Sequence, residues 1–193
     1  MKVALIQYNA GNIHSVRLAL QRLGVDPLVT ADTAAIRTAN KVIFPGVGEA
    51  SSAMENIKKN GIAELLPALT QPVLGICLGL QLMCRHSEEN DTECLGIFDA
   101  AVRRFPPRDK VPHMGWNTLD QVQGPLFSGI GPNPYVYFVH SYFAESVEET
   151  VAHTDYILPF AAALQRDNFF ATQFHPEKSG AIGEQILRTF LAL

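Results

Sequence analysis

The sequence predicts an α/β protein: a doubly wound, mostly parallel sheet with additional antiparallel strands. Three observations carry the prediction. The N-terminal part alternates short apolar runs with amphipathic stretches, strand then helix then strand. The second half changes character, with short β-like runs set between proline-bearing loops. The composition, 193 residues of which 47% are hydrophobic and 18% charged, suits one sizeable core and not two large ones. Residues 1–193 therefore read as a single domain.

Val3 to Tyr8 is a short apolar strand, broken by Asn9, Ala10, Gly11 and Asn12. From Ile13 apolar residues recur at Val16, Leu20 and Leu23, a helical stripe that Gly24 ends. Pro27 to Thr30 reads as the second strand, and Lys41 to Phe44 as the third, running into PGVG. Glu49 to Leu69 reads as helical, interrupted near Asn60 and Gly61. Pro72 to Ile76 is a buried strand, followed after Leu78 by a helix to about His86 and then a polar loop, SEENDTE. Leu95 to Phe98, Ala101 to Phe105, Tyr135 to Phe143, Phe160 to Gln165 and Phe169 to Phe174 read as the appended β-like runs. A helix from about Ser179, with Ile182, Ile186 and Phe190 on one face, ends the chain.

A net charge of −4 with no basic block argues against nucleic-acid binding, which needs clustered Lys and Arg. The N-terminus reads as a strand rather than a signal peptide, and no window offers the apolar length of a membrane span. A soluble cytoplasmic protein is expected. The three cysteines, Cys77, Cys84 and Cys94, are odd in number and lack zinc-site spacing, so neither a disulfide framework nor a metal is expected, and no cofactor is implied. Cys84 reads as a small buried hydrophobe, and Cys94 falls in a polar loop region.

Cys77 asks for chemistry. It stands in GICLG, between Gly75 and Gly79, at the end of a strand and the start of a helix. That is the thiol form of a nucleophile elbow, where small neighbours let strand and helix pass closely and the reactive atom rises above the C-terminal sheet edge. The helix N-terminus favours thiolate, and the Leu78 N–H is placed to donate to an oxyanion. Taken alone, the motif fits a buried structural cysteine equally well. FFATQFHPEKSG adds His175 directly after a β-like run and Glu177 two residues on, with the logic of nucleophile, base and orienting carboxylate. PGVG, Pro45 to Gly48, adds main-chain N–H groups that can cradle an anion, although a plain turn explains it as well.

PGVG, GICLGLQ, YFVHSY and HPEKS, in this order, resemble the triad-type (class I) glutamine amidotransferases. KVPHMGWN and YNAGNIHSV narrow the resemblance to the glutaminase subunits of imidazole glycerol phosphate synthases. The resemblance covers nearly the whole chain and implies a flavodoxin-like fold. It implies that Cys77 attacks the side-chain amide of glutamine, His175 moves the proton and Glu177 orients His175. A thioester is then hydrolysed to glutamate. It assigns substrate contacts to Gln81 and to main-chain groups of Gly46, Ser141 and Tyr142. It assigns the oxyanion hole to Leu78 and an N–H of Val47 or Gly48; turning a peptide through Gly46–Val47–Gly48 is cheap next to glycine, so a flip there is expected as a gate. It implies a heterodimer with a cyclase subunit, a (β/α)8 barrel that receives ammonia through an internal channel to make imidazole glycerol phosphate and AICAR in histidine biosynthesis. Asn12, Trp116 and Lys178 would face that partner. The chain departs from the family pattern at Glu49 and Ala50, where an aromatic residue often follows PGVG, and at Leu80, often Met. The alternatives are a triad glutaminase serving another synthase, and a non-catalytic relative with a redox-sensing cysteine.

Overall fold

The buried runs VALI, KVIFPG and VLGIC have no polar face, so each must be covered on both sides, which is the condition of a central parallel strand. In the computed structural model, which describes residues 1–8 and 12–193, they are β1 (Val3–Ile6), β3 (Lys41–Gly46) and β4 (Val73–Cys77). Asn9, Ala10 and Gly11, the expected break after the first strand, lie outside the described residues. Between these strands run α1 (Ile13–Arg22), β2 (Leu28–Thr30), α2 (Thr33–Arg37), α3 (Ala50–Lys59) and α4 (Ile62–Leu65), with a 3-10 turn over Leu66–Ala68. After β4 come α5 (Leu78–Met83), β5 (His86–Ser87), β6 (Thr92–Glu93), β7 (Ala101–Arg104), β8 (His113–Thr118) and β9 (Tyr135–His140). The chain closes with β10 (Tyr142–Ala144), β11 (Thr150–Tyr156), β12 (Leu158–Arg166), β13 (Phe169–Thr172) and α6 (Gly180–Ala192).

The sheet runs β2-β1-β3-β4-β13-β12-β10-β7-β5-β6, with β11 paired to β12. From β2 to β13 every pairing is parallel; beyond β13 all but β5–β7 are antiparallel. Alternation along the strands divides the core into two faces. Ala4, Ile6, Val42 and Phe44 pack with Ile36, Met54, Ile57 and Leu65. Leu5, Ile43, Leu74 and Ile76 pack with Val16, Leu20, Ile186 and Phe190. Helices α1 and α6 thus cover one face and α2 to α5 the other, the doubly wound arrangement the sequence predicts. β8 and β9 form a separate antiparallel ribbon.

Several boundaries differ from those the sequence predicts. The helix after Cys77 stops at Met83 and not near His86. Leu95 to Phe98 is not a strand: the N–H groups of Leu95, Gly96, Ile97 and Phe98 bond the carbonyls of Leu82, Cys84 and Met83, holding the end of α5. The polar stretch SEENDTE, together with His86, forms the β5–β6 hairpin. Tyr135 to Phe143 breaks at Ser141 into β9 and β10. α2, β8 and β11 are elements that the sequence pattern does not announce, and Trp116 lies in β8. No helix among the described residues is long and apolar enough to cross a membrane.

β3, β4 and β13 lie side by side, with Gly46 opposite Cys77 and Thr172 opposite Ile76. The C-terminal ends of these three strands therefore bring the PGVG loop, the elbow and the segment of His175 to one rim, next to the β1/β3 point where strand order reverses.

Candidate active site

Cys77 ends β4 at φ 55° and ψ −107°, a conformation that L-residues avoid and that a sharp strand-to-helix elbow imposes. The glycines show why the turn has this composition. A Cβ on Gly79 would run into the Phe44 carbonyl, and one on Gly75 would meet Met83 Sδ and the Gly79 backbone. Below the thiol, Gln173 Nε2 lies 3.7 Å from Sγ. Above it, Sγ donates to the Val139 carbonyl at 3.9 Å.

His175 follows β13 and is fixed through its backbone. Its N–H donates to the Tyr137 carbonyl at 2.9 Å, and its own carbonyl accepts from Ser179 Oγ at 2.7 Å. Its Nδ1 lies 2.8 Å from Glu177 Oε1, with both side chains sealed from solvent. A carboxylate only accepts, so Nδ1 carries a hydrogen and Nε2 is the atom left for chemistry. Among the described residues Nε2 has no hydrogen-bond partner, and it is the Cys77 end of the ring that it serves. Burial opposes an imidazolium here, but the nearby Cys77 sulfur and then Glu177 outweigh it and push the ring up to about 10. Asn12 Nδ2 donates to the same Glu177 oxygen at 3.2 Å.

A cleft of about 320 Å³ opens over the thiol. Of the residues singled out from the sequence, Val47, Gly48, Cys77, Leu78, Gln81, Ser141 and Tyr142 line it. Gly48 sits at φ 112°, which only glycine adopts without strain. Gly46 does not line the cleft: it is buried in β3 behind it, where a Cβ would strike the Tyr8 hydroxyl and approach Leu78 Cβ to 2.7 Å. Tyr8 donates to the Pro45 carbonyl at 2.6 Å and so braces the strand that feeds the PGVG loop. Gln81 spends its amide hydrogens on the Tyr142 carbonyl at 2.9 Å and Gln173 Oε1 at 3.1 Å, which leaves its oxygen as the group to offer a ligand.

Sequence reasoning missed Glu89, Gln173, Val139 and His140. Glu89 brings a carboxylate to the cleft wall, where burial raises its pKa while the Ala50 N–H, 2.7 Å from Oε2, lowers it. Burial pushes the Cys94 thiol up to about 12 and the Cys84 thiol well above its ordinary value, so neither offers a thiolate near neutrality. Trp116, 45% exposed, stacks on Tyr135 at 5.6 Å and meets Tyr137 edge-on, and Lys178 Nζ lies 5.9 Å over the Tyr137 ring. Trp116 and Lys178 therefore share one exposed aromatic face. The Asn12 amide turns to Glu177 instead, joining that edge of the molecule to the His175 ring.

Comparison with known proteins identifies the family and the fold. The family model described as glutamine amidotransferase class-I matches residues 4–193. An imidazole glycerol phosphate synthase subunit HisH of Bacteroides thetaiotaomicron is 58% identical over the whole of both chains. One of Idiomarina loihiensis is 45% identical, covering all of this chain and 98% of that one. Among solved structures, a glutamine amidotransferase superposes over the whole chain and 98% of its own with a TM-score of 0.78 at 19% identity. PurLQS of Thermotoga maritima superposes over 99% of this chain and 97% of its own, with a TM-score of 0.75 at 16% identity. At such identity these two speak for the fold alone.

Proposed function

The chain belongs to the class-I glutamine amidotransferases, among the HisH glutaminase subunits of imidazole glycerol phosphate synthase that act in histidine biosynthesis, and from that premise we propose that Cys77, His175 and Glu177 hydrolyse glutamine. The observation that carries the proposal is the His175 ring, held by Glu177 on one nitrogen and left free on the side of Cys77 by the other.

Glutamine lies in the cleft with its side-chain amide over Sγ. Its α-ammonium meets the carboxylate of Glu89 and the free oxygen of Gln81; its α-carboxylate accepts from main-chain groups of Ser141 and Tyr142. With His175 held up to about 10, the thiol proton already rests on Nε2; Sγ attacks the amide carbon as a thiolate, and the carbonyl oxygen becomes an oxyanion. The N–H of Leu78 and an N–H of Val47 or Gly48 stabilise it; one such donor is worth about 10²–10³ in rate. As the C–N bond breaks, the proton on Nε2 passes to the leaving nitrogen and ammonia departs, leaving a thioester on Cys77. Water, deprotonated by His175, then attacks the thioester. The C–S bond breaks, glutamate leaves and the proton stays on Nε2, the sulfur again a thiolate. Glu177 stays ionised and keeps Nδ1–H in place.

Being a subunit, the chain works with another. We take that partner to be a (β/α)8-barrel cyclase in a cytoplasmic heterodimer, docked on the face of Trp116 and Lys178 beside Asn12, and taking ammonia through an enclosed channel. Residues 1–193 act in it as one glutaminase domain. A peptide flip at Gly46–Val47–Gly48 gates the oxyanion hole, because a turned carbonyl would repel the oxyanion.

The test is ammonia release from glutamine by the purified chain with and without a cyclase subunit and its nucleotide ligand. Release is expected to rise with the liganded partner and to vanish in Cys77→Ala. Release that persists in Cys77→Ala, or a wild type inert with the partner, contradicts the reading.

A further inference from the structure

Two buried histidines outside the triad, His113 and His140, stand directly opposite each other at the ends of β8 and β9. Chemistry fixes the direction of their bonds. His140 Nδ1 lies 2.7 Å from the Tyr142 carbonyl, which only accepts, so Nδ1 carries the hydrogen. A neutral His140 then has a bare Nε2, and the atom 3.0 Å from it is His113 Nδ1, which must donate. That leaves His113 Nε2 bare in turn. The amide nitrogen of Asn117 lies 3.4 Å from it and also donates to the Asp155 carbonyl at 3.0 Å. The pair is clamped between rings: His113 stacks on Tyr156 at 4.0 Å and on Phe138 at 4.7 Å, and His140 packs on Phe105 and Phe160. Burial pushes His113 down to about 4 and His140 to about 3, so both rings are neutral at physiological pH.

The receiving end of this chain is a wall of the cleft. The Tyr142 carbonyl accepts from Gln81 as well as from His140, and Gln81 reaches through Gln173 to the sulfur of Cys77. The donating end is β8, whose opposite face carries exposed Met114 and Trp116.

We propose that His113 and His140 are positioning residues. The one-way relay Asn117 to His113 to His140 to the Tyr142 carbonyl fixes the Ser141–Tyr142 wall and the Gln81 amide for glutamine, and ties that wall to the exposed ribbon. The effect on substrate rests on the glutaminase reading; the relay does not. An apolar pair would fill the same volume, but it would leave the Tyr142 carbonyl held by Gln81 alone and free to tilt.

Two measurements on the full chain test it. Nitrogen NMR of histidine-labelled protein at pH 7 is expected to find both rings as the Nδ1–H tautomer, the minor form of a free histidine. An Nε2–H tautomer or an imidazolium at either position overturns the relay. Kinetics with the partner subunit use a matched pair of variants. His113→Leu removes the donor and is expected to raise KM for glutamine about fivefold, the worth of one hydrogen bond, with a smaller change in kcat. His113→Asn puts an amide nitrogen where Nδ1 was and is expected to restore KM to within about twofold of wild type. Equal KM values in the two variants, or a fall in kcat with KM unchanged, overturn the proposal. Should His113→Leu fail to fold, Asn117→Ala, which removes only the outer donor, is expected to raise KM about twofold; an unchanged KM there counts against the relay. A wild type without glutaminase activity overturns the functional reading alone, and the tautomers then decide the relay.

Discussion

Glu177 acts through a single oxygen. Oε1 accepts from His175 Nδ1 at 2.8 Å and from Asn12 at 3.2 Å, in a setting closed to solvent. Glu177→Gln preserves the size and one acceptor but removes the charge, and the new amide can turn its NH₂ to the ring and impose the wrong tautomer. A kcat loss of roughly 10²–10⁴ is expected, with KM changed little, as when the orienting acid of a hydrolytic triad is neutralised. Partner-activated glutaminase kinetics check this; a loss under about tenfold shows that the carboxylate does not orient the ring electrostatically. The elbow at Cys77 and the pairing of His175 with Glu177 were legible in sequence because short-range spacing encodes them, with glycines flanking the thiol and an acid two residues past the histidine. Glu89 and Gln173 were not legible. Glu89 reaches the cleft only because the β5–β6 hairpin folds back onto α3, and nothing local announces that. Gln173 follows an apolar strand and reads as one more interior position, although it bonds Gln81 and approaches the sulfur.

At the scale of elements, the elbow depends on one missing methyl group. A Cβ on Gly79 would overlap the carbonyl of Phe44, a backbone atom of the neighbouring strand β3 that cannot swing aside. Gly79→Ala must therefore prise α5 from the sheet and is expected to cost about 2–4 kcal/mol, near the top of the range for single substitutions. Urea unfolding with the slope held fixed measures it. A loss below about 0.5 kcal/mol shows that α5 accommodates the methyl and that the packing argument for the glycine fails. The parallel strands were legible because runs such as KVIFPG and VLGIC have no polar face. The ribbon strand β8 was not, because HMGWNT sets small and polar residues on its inner side and Met114 and Trp116 outward, reversing the usual alternation. The true end of α5 was hidden for a different reason: Leu82, Met83 and Cys84 give their carbonyls to a returning loop, a tertiary event that overrides local helix preference.

For the molecule as a whole, three buried histidines give stability opposite slopes on the two sides of neutrality. His113 and His140 are held below the ordinary value near 6.5, to about 4 and about 3. Each binds a proton in the unfolded chain before it does so in the fold, so the stability of their neutral forms is present above the unfolded value and is lost as pH falls through 6.5 toward those folded values. Burial is the cause at both, and on His140 the neighbours add to it, since His113 and His175 each oppose a proton there. By pH 5 the pair is expected to have removed roughly 2–4 kcal/mol, because a tenfold change in proton affinity between fold and unfolded chain is worth about 1.4 kcal/mol and both groups are buried. His175 behaves inversely. Its value is raised to about 10, so its contribution is complete below 6.5 and declines as pH rises toward 10. The alkaline decline has a separable origin: with burial opposing the charge, the first cause that raises it is the Cys77 sulfur. Urea midpoints at pH 5, 6.5 and 8.5 are therefore expected to peak near 6.5 in the wild type. In Cys77→Ala the acid-side loss should remain and the alkaline decline should flatten. An acid limb absent from the wild type would show that the two ribbon histidines carry protons in the fold, and an alkaline limb unchanged in Cys77→Ala would show that the sulfur does not hold the charge on His175.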